Sequence, residues 1–149
     1  MASPQNVITF WTQAGPNKWF RGGPSFDEAI RLRFEPVHHA CARGEHDDWA
    51  TTPEGALALI ICLDQFPRNL YRRSGHAFAT DGMARAVARA AIAEDFDTQV
   101  EPELRPFFYL PFEHSEDPAD QALSVTLFEA LKDDTGHENS LKWAVDHKE

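Results

Sequence analysis

Three polar residues that can cap a helix are each followed directly by a proline, at Ser3-Pro4, Thr52-Pro53 and Asp117-Pro118. A Ser, Thr or Asp side chain at the N-cap accepts a hydrogen bond from a free backbone N–H of the first turn. Proline suits the next position because its missing N–H would have no partner inside the helix there. Each pair therefore predicts the start of a separate helix.

The segment 56–63 is apolar on every side, which is typical of a buried central helix. We predict that this helix spans 53–66 and that Pro67 ends it. Similar signals predict helices over 82–94 and 138–148. In no segment do apolar and polar residues alternate for long enough to indicate a strand. The prediction is an all-α fold of about seven or eight helices, packed antiparallel because the loops between them are short.

The length of 149 residues is typical of one domain with a sizeable core, so we predict a single helical domain over 1–149. The net charge is −10, and the only local basic cluster is formed by Arg68, Arg72 and Arg73. A nucleic-acid-binding protein needs a larger basic face. Anionic membranes would also repel an acidic chain. We therefore expect neither nucleic acid nor a membrane as a partner.

The N-terminal sequence Met-Ala-Ser-Pro lacks the basic and then apolar order of a signal peptide, so we expect a cytoplasmic protein. In that compartment Cys41 and Cys62 should be reduced thiols, and they form no Cys-x-x-Cys motif. The chain contains 4 Trp and 11 Phe, enough to form an exposed aromatic patch and a homodimer.

Polar residues follow the predicted central helix directly, in the order Asp64, Gln65, then Arg68 and Asn69. Asp64 lies one turn after apolar positions, and a carboxylate buried there must be paired or hydrogen-bonded. Arg68 is four residues further on, which is the spacing of a helical ion pair. Two interpretations stay open: a buried ion pair with a helix cap, or the floor of a polar pocket.

A second polar cluster surrounds His114, which follows the apolar stretch 106–112. His114 could act as a general base oriented by Glu116, could bind a metal, or could bond the backbone in a purely structural role. No second His stands four residues away, and His38 and His39 point about 100° apart on a helix, so they should not chelate together. We therefore predict no metal site and no cofactor.

The chain resembles the bacterial family catalogued as domain of unknown function 924. The most specific strings are Leu-Asp-Gln-Phe-Pro-Arg-Asn at 63–69 and His-Ser-Glu at 114–116, with Lys-Trp-Phe at 18–20. The resemblance implies an all-α superhelix similar to tetratricopeptide-repeat folds without their repeat signature, and it implies no activity. Family members continue past the equivalent of Lys148-Glu149, so we expect the family's C-terminal extension to be absent from this chain.

Three functions are consistent with these observations. The first is a binding module for a small anionic ligand or a peptide carboxylate, because Arg binds oxyanions in a two-pronged manner. The second is a hydrolase-type enzyme, with His114 as general base or metal ligand, Glu116 as its partner and Arg68 stabilising negative charge. The third is a structural or oligomerising protein. The candidate ligand-binding residues are Asp64, Gln65, Arg68, Asn69, Arg31, Tyr109 and His114.

Overall fold

All three cap–proline pairs begin helices, as predicted. In the computed structural model, which describes residues 2–135, the Ser3 side chain accepts from Asn6 N–H, and Thr52 accepts from Gly55 N–H at 3.0 Å. Asp117 Oδ1 accepts from Ala119 N–H at 2.9 Å. These local bonds satisfy backbone donors that a helix start would otherwise leave free.

The described residues form seven α-helices joined by short 3-10 turns, and they contain no strand, which confirms the all-α prediction. The helix predicted over 138–148 lies outside the described residues. Within them, no helix is both long and apolar enough to cross a bilayer. The helices are α1 (Pro4–Arg21, with a break at Gly15), α2 (Pro24–Ala42), α3 (Pro53–Ile60), α4 (Phe66–Leu70), α5 (Asp81–Ala93), α6 (Pro106–Glu113) and α7 (Pro118–Thr135).

Helix α3 is the centre of the core, as its apolar sequence predicts. Every residue from Gly55 to Leu63 is buried. Helices α1 and α5 pack against α3, α2 packs against α4, and α6 packs against both α5 and α7. An aromatic cluster fills the space between α1, α4 and α6, where Trp11 contacts Phe66 and Phe107 edge to face. Cys41 and Cys62 are buried free thiols, and burial raises the pKa of Cys62.

The prediction that Pro67 ends the central helix is wrong. After α3 the chain makes a π-helical turn over Ile61–Gln65 and continues as α4. In this wider turn the Phe66 N–H bonds the Ile61 carbonyl, five residues back. Pro67 then falls in the first turn of α4, where a missing N–H is tolerated.

The π turn leaves two backbone carbonyls that other elements must satisfy. Pro67 has no N–H to donate to Leu63 or Cys62, which lie four and five residues before it. Thr80 Oγ1 donates to the Leu63 carbonyl at 2.6 Å, and His38 Nδ1 bonds the Cys62 carbonyl at 2.8 Å. Buried carbonyls in native proteins are nearly always paired, so these side chains stabilise the turn.

Candidate functional site

Asp64 lies in the π turn and is fully buried. Its carboxylate accepts from His114 Nδ1 at 2.9 Å, Arg68 Nη1 at 3.2 Å and Gln65 Nε2 at 3.0 Å. Burial alone would raise the pKa of Asp64, but the charges and hydrogen bonds of His114, Arg68 and Gln65 outweigh it, so the pKa is lowered. Asp64 is therefore an ionised carboxylate at neutral pH.

Arg68 joins the π turn to the start of α5. Its Nη1 bonds the Asp64 carbonyl oxygen at 2.6 Å, and it forms a two-pronged ion pair with Asp81 at 2.9 and 3.0 Å. The guanidinium also lies 5.4 Å from the centre of the Phe78 ring, within the range of a cation–π contact. These contacts hold Arg68 in one position, and its carboxylate partners balance its positive charge on the side that faces the protein interior.

His114 caps the C-terminal end of α6, and its side chain is 15% exposed. Because Asp64 is ionised and can only accept, the His114 ring must donate through Nδ1. The other ring nitrogen, Nε2, lies 3.6 Å from Glu113 Oε2. A carboxylate that orients an imidazole in this way leaves Nε2 to accept a proton when the ring is neutral.

Two cavities share Arg68 and His114 in their linings. The larger cavity measures about 830 Å³ and the smaller about 400 Å³. Both volumes are in the range of small-molecule sites, which is roughly 300–1,000 Å³. The smaller cavity is lined by Trp19, Phe20, Gly22, Gln65, Arg68, Asn69, Arg72 and His114.

The two cavities differ in the charge of their linings. In the larger cavity the carboxylates outnumber the two guanidiniums of Arg68 and Arg85, and they are those of Asp81, Glu113, Glu116, Asp117 and Asp120. Among the described residues, the ionisable side chains that line the smaller cavity are Arg68, Arg72 and His114. The ionisable lining of the smaller cavity is therefore basic, and the carboxylates that pair with its two arginines, those of Asp27, Asp64 and Asp81, lie outside that lining.

Four of the predicted ligand-binding residues line the smaller cavity: Gln65, Arg68, Asn69 and His114. Asp64 lies directly behind them, bonded to three of the four. The sequence string that follows the central helix and the one around His114 thus form one site, although 50 residues separate Asp64 from His114.

Two predicted residues lie elsewhere. Arg31 is half-exposed on α2 and pairs with Glu28, so it lines neither cavity. Tyr109 is buried, and its hydroxyl bonds Asp97 and Arg105. Arg31 is suggested by the affinity of arginine for oxyanions and Tyr109 by its nearness in sequence to the cluster around His114, but neither side chain lines the site.

The carboxylate bonded to His114 is that of Asp64, whereas Glu116 was the predicted partner. Glu116 is exposed and lines the larger cavity. The adjacent hydroxyl of Ser115 donates to Asp120 at 2.7 Å and so faces away from His114.

Sequence reasoning missed four residues of the smaller cavity: Trp19, Phe20, Gly22 and Arg72. Trp19 and Phe20 belong to the Lys-Trp-Phe string at 18–20, which was noted only as a resemblance. Arg72 was counted in a basic cluster considered too small for nucleic acid. A search for basic residues four positions apart after the central helix would have paired Arg72 with Arg68.

Comparison with known proteins places the chain among uncharacterised relatives. A family model described as a bacterial protein of unknown function matches residues 7–149. A solved structure of a protein of unknown function from Agrobacterium tumefaciens is similar, with 41% identity and a TM-score of 0.90. The similarity covers 97% of this chain and 80% of that chain. No curated protein matches the chain.

Proposed function

The chain belongs to the DUF924 family of bacterial proteins of unknown function, and from the chemistry of its site we propose that it binds a small anionic ligand in the smaller cavity. The ligand would carry a carboxylate or phosphate together with an apolar or aromatic group. The observation that carries the proposal is the lining: every ionisable side chain there among the described residues is basic.

The polar side of the cavity offers hydrogen-bond donors to an oxyanion. Arg72 and Asn69 both bond Asp27, at 3.1 Å and 2.8 Å to its Oδ1, so the carboxylate of Asp27 orients them. Arg68 and His114 are held in the same way by Asp64. Donors positioned before binding lose little entropy when the ligand arrives, which favours affinity. An arginine also matches the two oxygens of a carboxylate or phosphate.

The other side of the cavity is aromatic. Trp19 packs against Phe107 with ring centroids 4.9 Å apart, and it donates to the Trp11 carbonyl at 2.7 Å. Phe20 beside it is 46% exposed, so part of its ring is open to a ligand. Aromatic walls bury the apolar part of a ligand, while a few polar groups fix its orientation. Because one side of the cavity is polar and the other is aromatic, the proposed ligand carries both an anionic group and an apolar or aromatic group.

The test is calorimetric titration with benzoate and phenyl phosphate, compared with acetate and inorganic phosphate. We expect the two aromatic anions to bind more tightly than the two small ones. Arg72→Ala should weaken binding by about 10- to 100-fold, since a hydrogen bond to a charged group contributes about 1.5–3 kcal/mol. Arg85→Ala is the matched control, because Arg85 lines only the larger cavity. Equal binding by wild type and Arg72→Ala would contradict the proposal.

A hydrolytic enzyme is a second candidate, favoured by the bond between Asp64 and His114 Nδ1. In this version His114 Nε2 takes a proton from water as the water oxygen attacks an ester carbonyl or a phosphoryl group, and Arg68 stabilises the developing charge. The bond to the leaving alcohol then breaks, and the protonated His114 returns the proton to that alcohol. Because the hydroxyl of Ser115 donates to Asp120, the nucleophile is water and not that serine. Wild-type turnover of p-nitrophenyl acetate or p-nitrophenyl phosphate that His114→Ala abolishes, with an unchanged circular dichroism spectrum, would support the enzyme.

The structural alternative rests on the same buried network. Asp64 and Arg68 are mutually paired, so they stabilise the helix exit whether or not a ligand binds. Failure of every anion to bind would favour this alternative. The homodimer stays a prediction, and light scattering of the purified protein would test it.

A further inference from the structure

Three histidines from two elements meet beside the π turn, away from both cavities. His38 and His39 lie on α2, and His76 lies in the 3-10 turn Gly75–Phe78. One ring nitrogen of each lies within 4.8 Å of the others. Although adjacent side chains point about 100° apart on an ideal helix, the ring centroids of His38 and His39 are only 5.1 Å apart, and that of His76 lies 5.6 Å from each.

His38 is the fixed member of this histidine cluster. It is fully buried, and its Nδ1 bonds the Cys62 carbonyl at 2.8 Å. A carbonyl can only accept, so the proton is on Nδ1 and the lone pair of the neutral ring is on Nε2. Burial, reinforced by the neighbouring imidazoles, lowers the pKa of His38 and favours this neutral form. A histidine whose second nitrogen donates to a backbone carbonyl is the usual arrangement of a metal ligand.

The distance between the first two nitrogens suits a metal ion. His38 Nε2 and His76 Nε2 are 3.4 Å apart. Two ligands on a tetrahedral ion with metal–nitrogen bonds of 2.0–2.1 Å are about 3.3–3.4 Å apart. The two nitrogens therefore already lie at the spacing that such an ion requires. Without an ion His76 Nε2–H donates to the lone pair of His38 Nε2, and an ion would bind once the His76 proton has moved to Nδ1.

An outer group of side chains orients the third histidine. Tyr71 donates to Glu35 Oε2 at 2.8 Å and contacts His39 Nε2 at 2.7 Å. Tyrosine has one hydroxyl proton, so if Glu35 accepts it, His39 is the donor to the phenol oxygen. Tyr71 also stacks on His76 at 4.0 Å between ring centroids. These contacts resemble the carboxylate-linked second shell that positions metal-bound histidines.

We propose that His38, His39 and His76 bind one divalent transition-metal ion of the kind that prefers imidazole, such as Zn²⁺, Co²⁺ or Ni²⁺. Three protein ligands leave a coordination position for water. His76 is exposed, so the ion can enter from solvent on that side. The site is independent of the proposed anion site, since none of the three histidines lines either cavity.

The test uses tag-free protein treated with a chelator and then titrated with ZnCl₂ and CoCl₂ in a calorimeter. We expect one ion per chain, and an intense visible absorption from Co²⁺ in a tetrahedral site. His76→Ala and His39→Ala should each weaken binding by about tenfold or more. His76 is exposed and His39 is partly exposed, so both variants should fold, which circular dichroism would verify.

His46→Ala is the matched control, because His46 stacks on Trp49 and lies outside the histidine cluster. It should bind the ion as wild type does, and so should His114→Ala. Absence of saturable binding at one ion per chain would overturn the proposal. Equal binding by wild type, His76→Ala and His39→Ala would also overturn it, since the ion would then be held by the chain's other histidines.

Discussion

Replacing Arg68 with alanine should destabilise the fold far more than the same change at Arg72. The two arginines are four residues apart, and each forms an ion pair with an aspartate. They differ in burial: the Arg68 side chain is 22% exposed and its partner Asp64 is 1% exposed, whereas the Arg72 side chain is 55% exposed. Arg68 also pairs with Asp81 and bonds the Asp64 carbonyl, so Arg68→Ala removes more buried contacts than Arg72→Ala does.

The expected magnitudes follow from what each substitution leaves behind. Arg68→Ala leaves the buried Asp64 charged, and removing one partner of a buried pair costs about 3–5 kcal/mol. We expect about 3 kcal/mol, the lower end, because His114 and Gln65 still bond Asp64. That loss lowers Tm by about 6–12 °C in a chain of this length. Arg72→Ala breaks a solvent-exposed pair and should cost less than about 1 kcal/mol.

Urea unfolding followed by tryptophan fluorescence and by circular dichroism would measure both free energies. Coincident curves from the two probes would establish a two-state transition, which the comparison needs. Equal losses for the two variants would refute the reasoning, since burial of Asp64 would then have no energetic consequence. So would a loss from Arg68→Ala below about 1 kcal/mol, the value of an exposed pair.

Three further predictions concern the central helix and its exit. Gly55→Ala should lower the unfolding free energy by about 2–3 kcal/mol, because the added Cβ would lie 2.0 Å from a backbone carbonyl oxygen. Gly75→Ala is the control: open space surrounds Gly75, so the unfolding free energy should change by less than about 0.5 kcal/mol. Thr80→Val removes the donor to the Leu63 carbonyl and should cost about 1–3 kcal/mol in urea unfolding; no loss would mean that this bond is dispensable. The pKa of Asp64 is lowered in the folded state, so its stabilising effect should be complete above the ordinary value of 3.8 and be lost as the pH falls through the lowered value. The difference in unfolding free energy between wild type and Asp64→Asn should therefore shrink below about pH 4.

The helix starts could be predicted because capping is a local interaction. Ser3, Thr52 and Asp117 each bond a backbone N–H two or three residues ahead, so the sequence around each holds all the required information. The burial of α3 was predictable for a related reason: a helix that is apolar on every side has no face to expose. Neither inference required knowledge of how the helices pack.

The members of the candidate site were only partly predictable, because contacts across the fold select them. The bond of Asp64 to His114 spans 50 residues, and the bond of His38 to Cys62 spans 24. The polar string after the central helix contains Gln65, Arg68 and Asn69, which line the smaller cavity, whereas the affinity of arginine for oxyanions also suggests Arg31, which does not. The side chains of His38 and His39 point in different directions on an ideal helix, so the sequence does not predict that they meet. Flexible side chains and a turn that is distant in sequence nevertheless bring the rings together.

Pro67 explains why both candidate sites lie beside the same turn. Pro67 cannot donate to Cys62 or Leu63, and side chains of other elements bond these carbonyls, His38 on α2 among them. Bonding that carbonyl fixes the His38 ring with Nε2 towards His76. The residue after Pro67 is Arg68, whose bond to the Asp64 carbonyl holds its guanidinium at the boundary between the two cavities.

Because some site residues also bond carbonyls of the π turn, only certain substitutions can separate an effect on function from an effect on stability. Arg68 and His38 satisfy backbone acceptors of the π turn, so replacing either would weaken the fold whether or not a ligand or a metal ever binds. Arg72 and His76 belong to the same two sites but are exposed and bond no carbonyl of that turn. A loss of anion binding in Arg72→Ala, or of metal binding in His76→Ala, with an unchanged unfolding free energy, would therefore report on function alone.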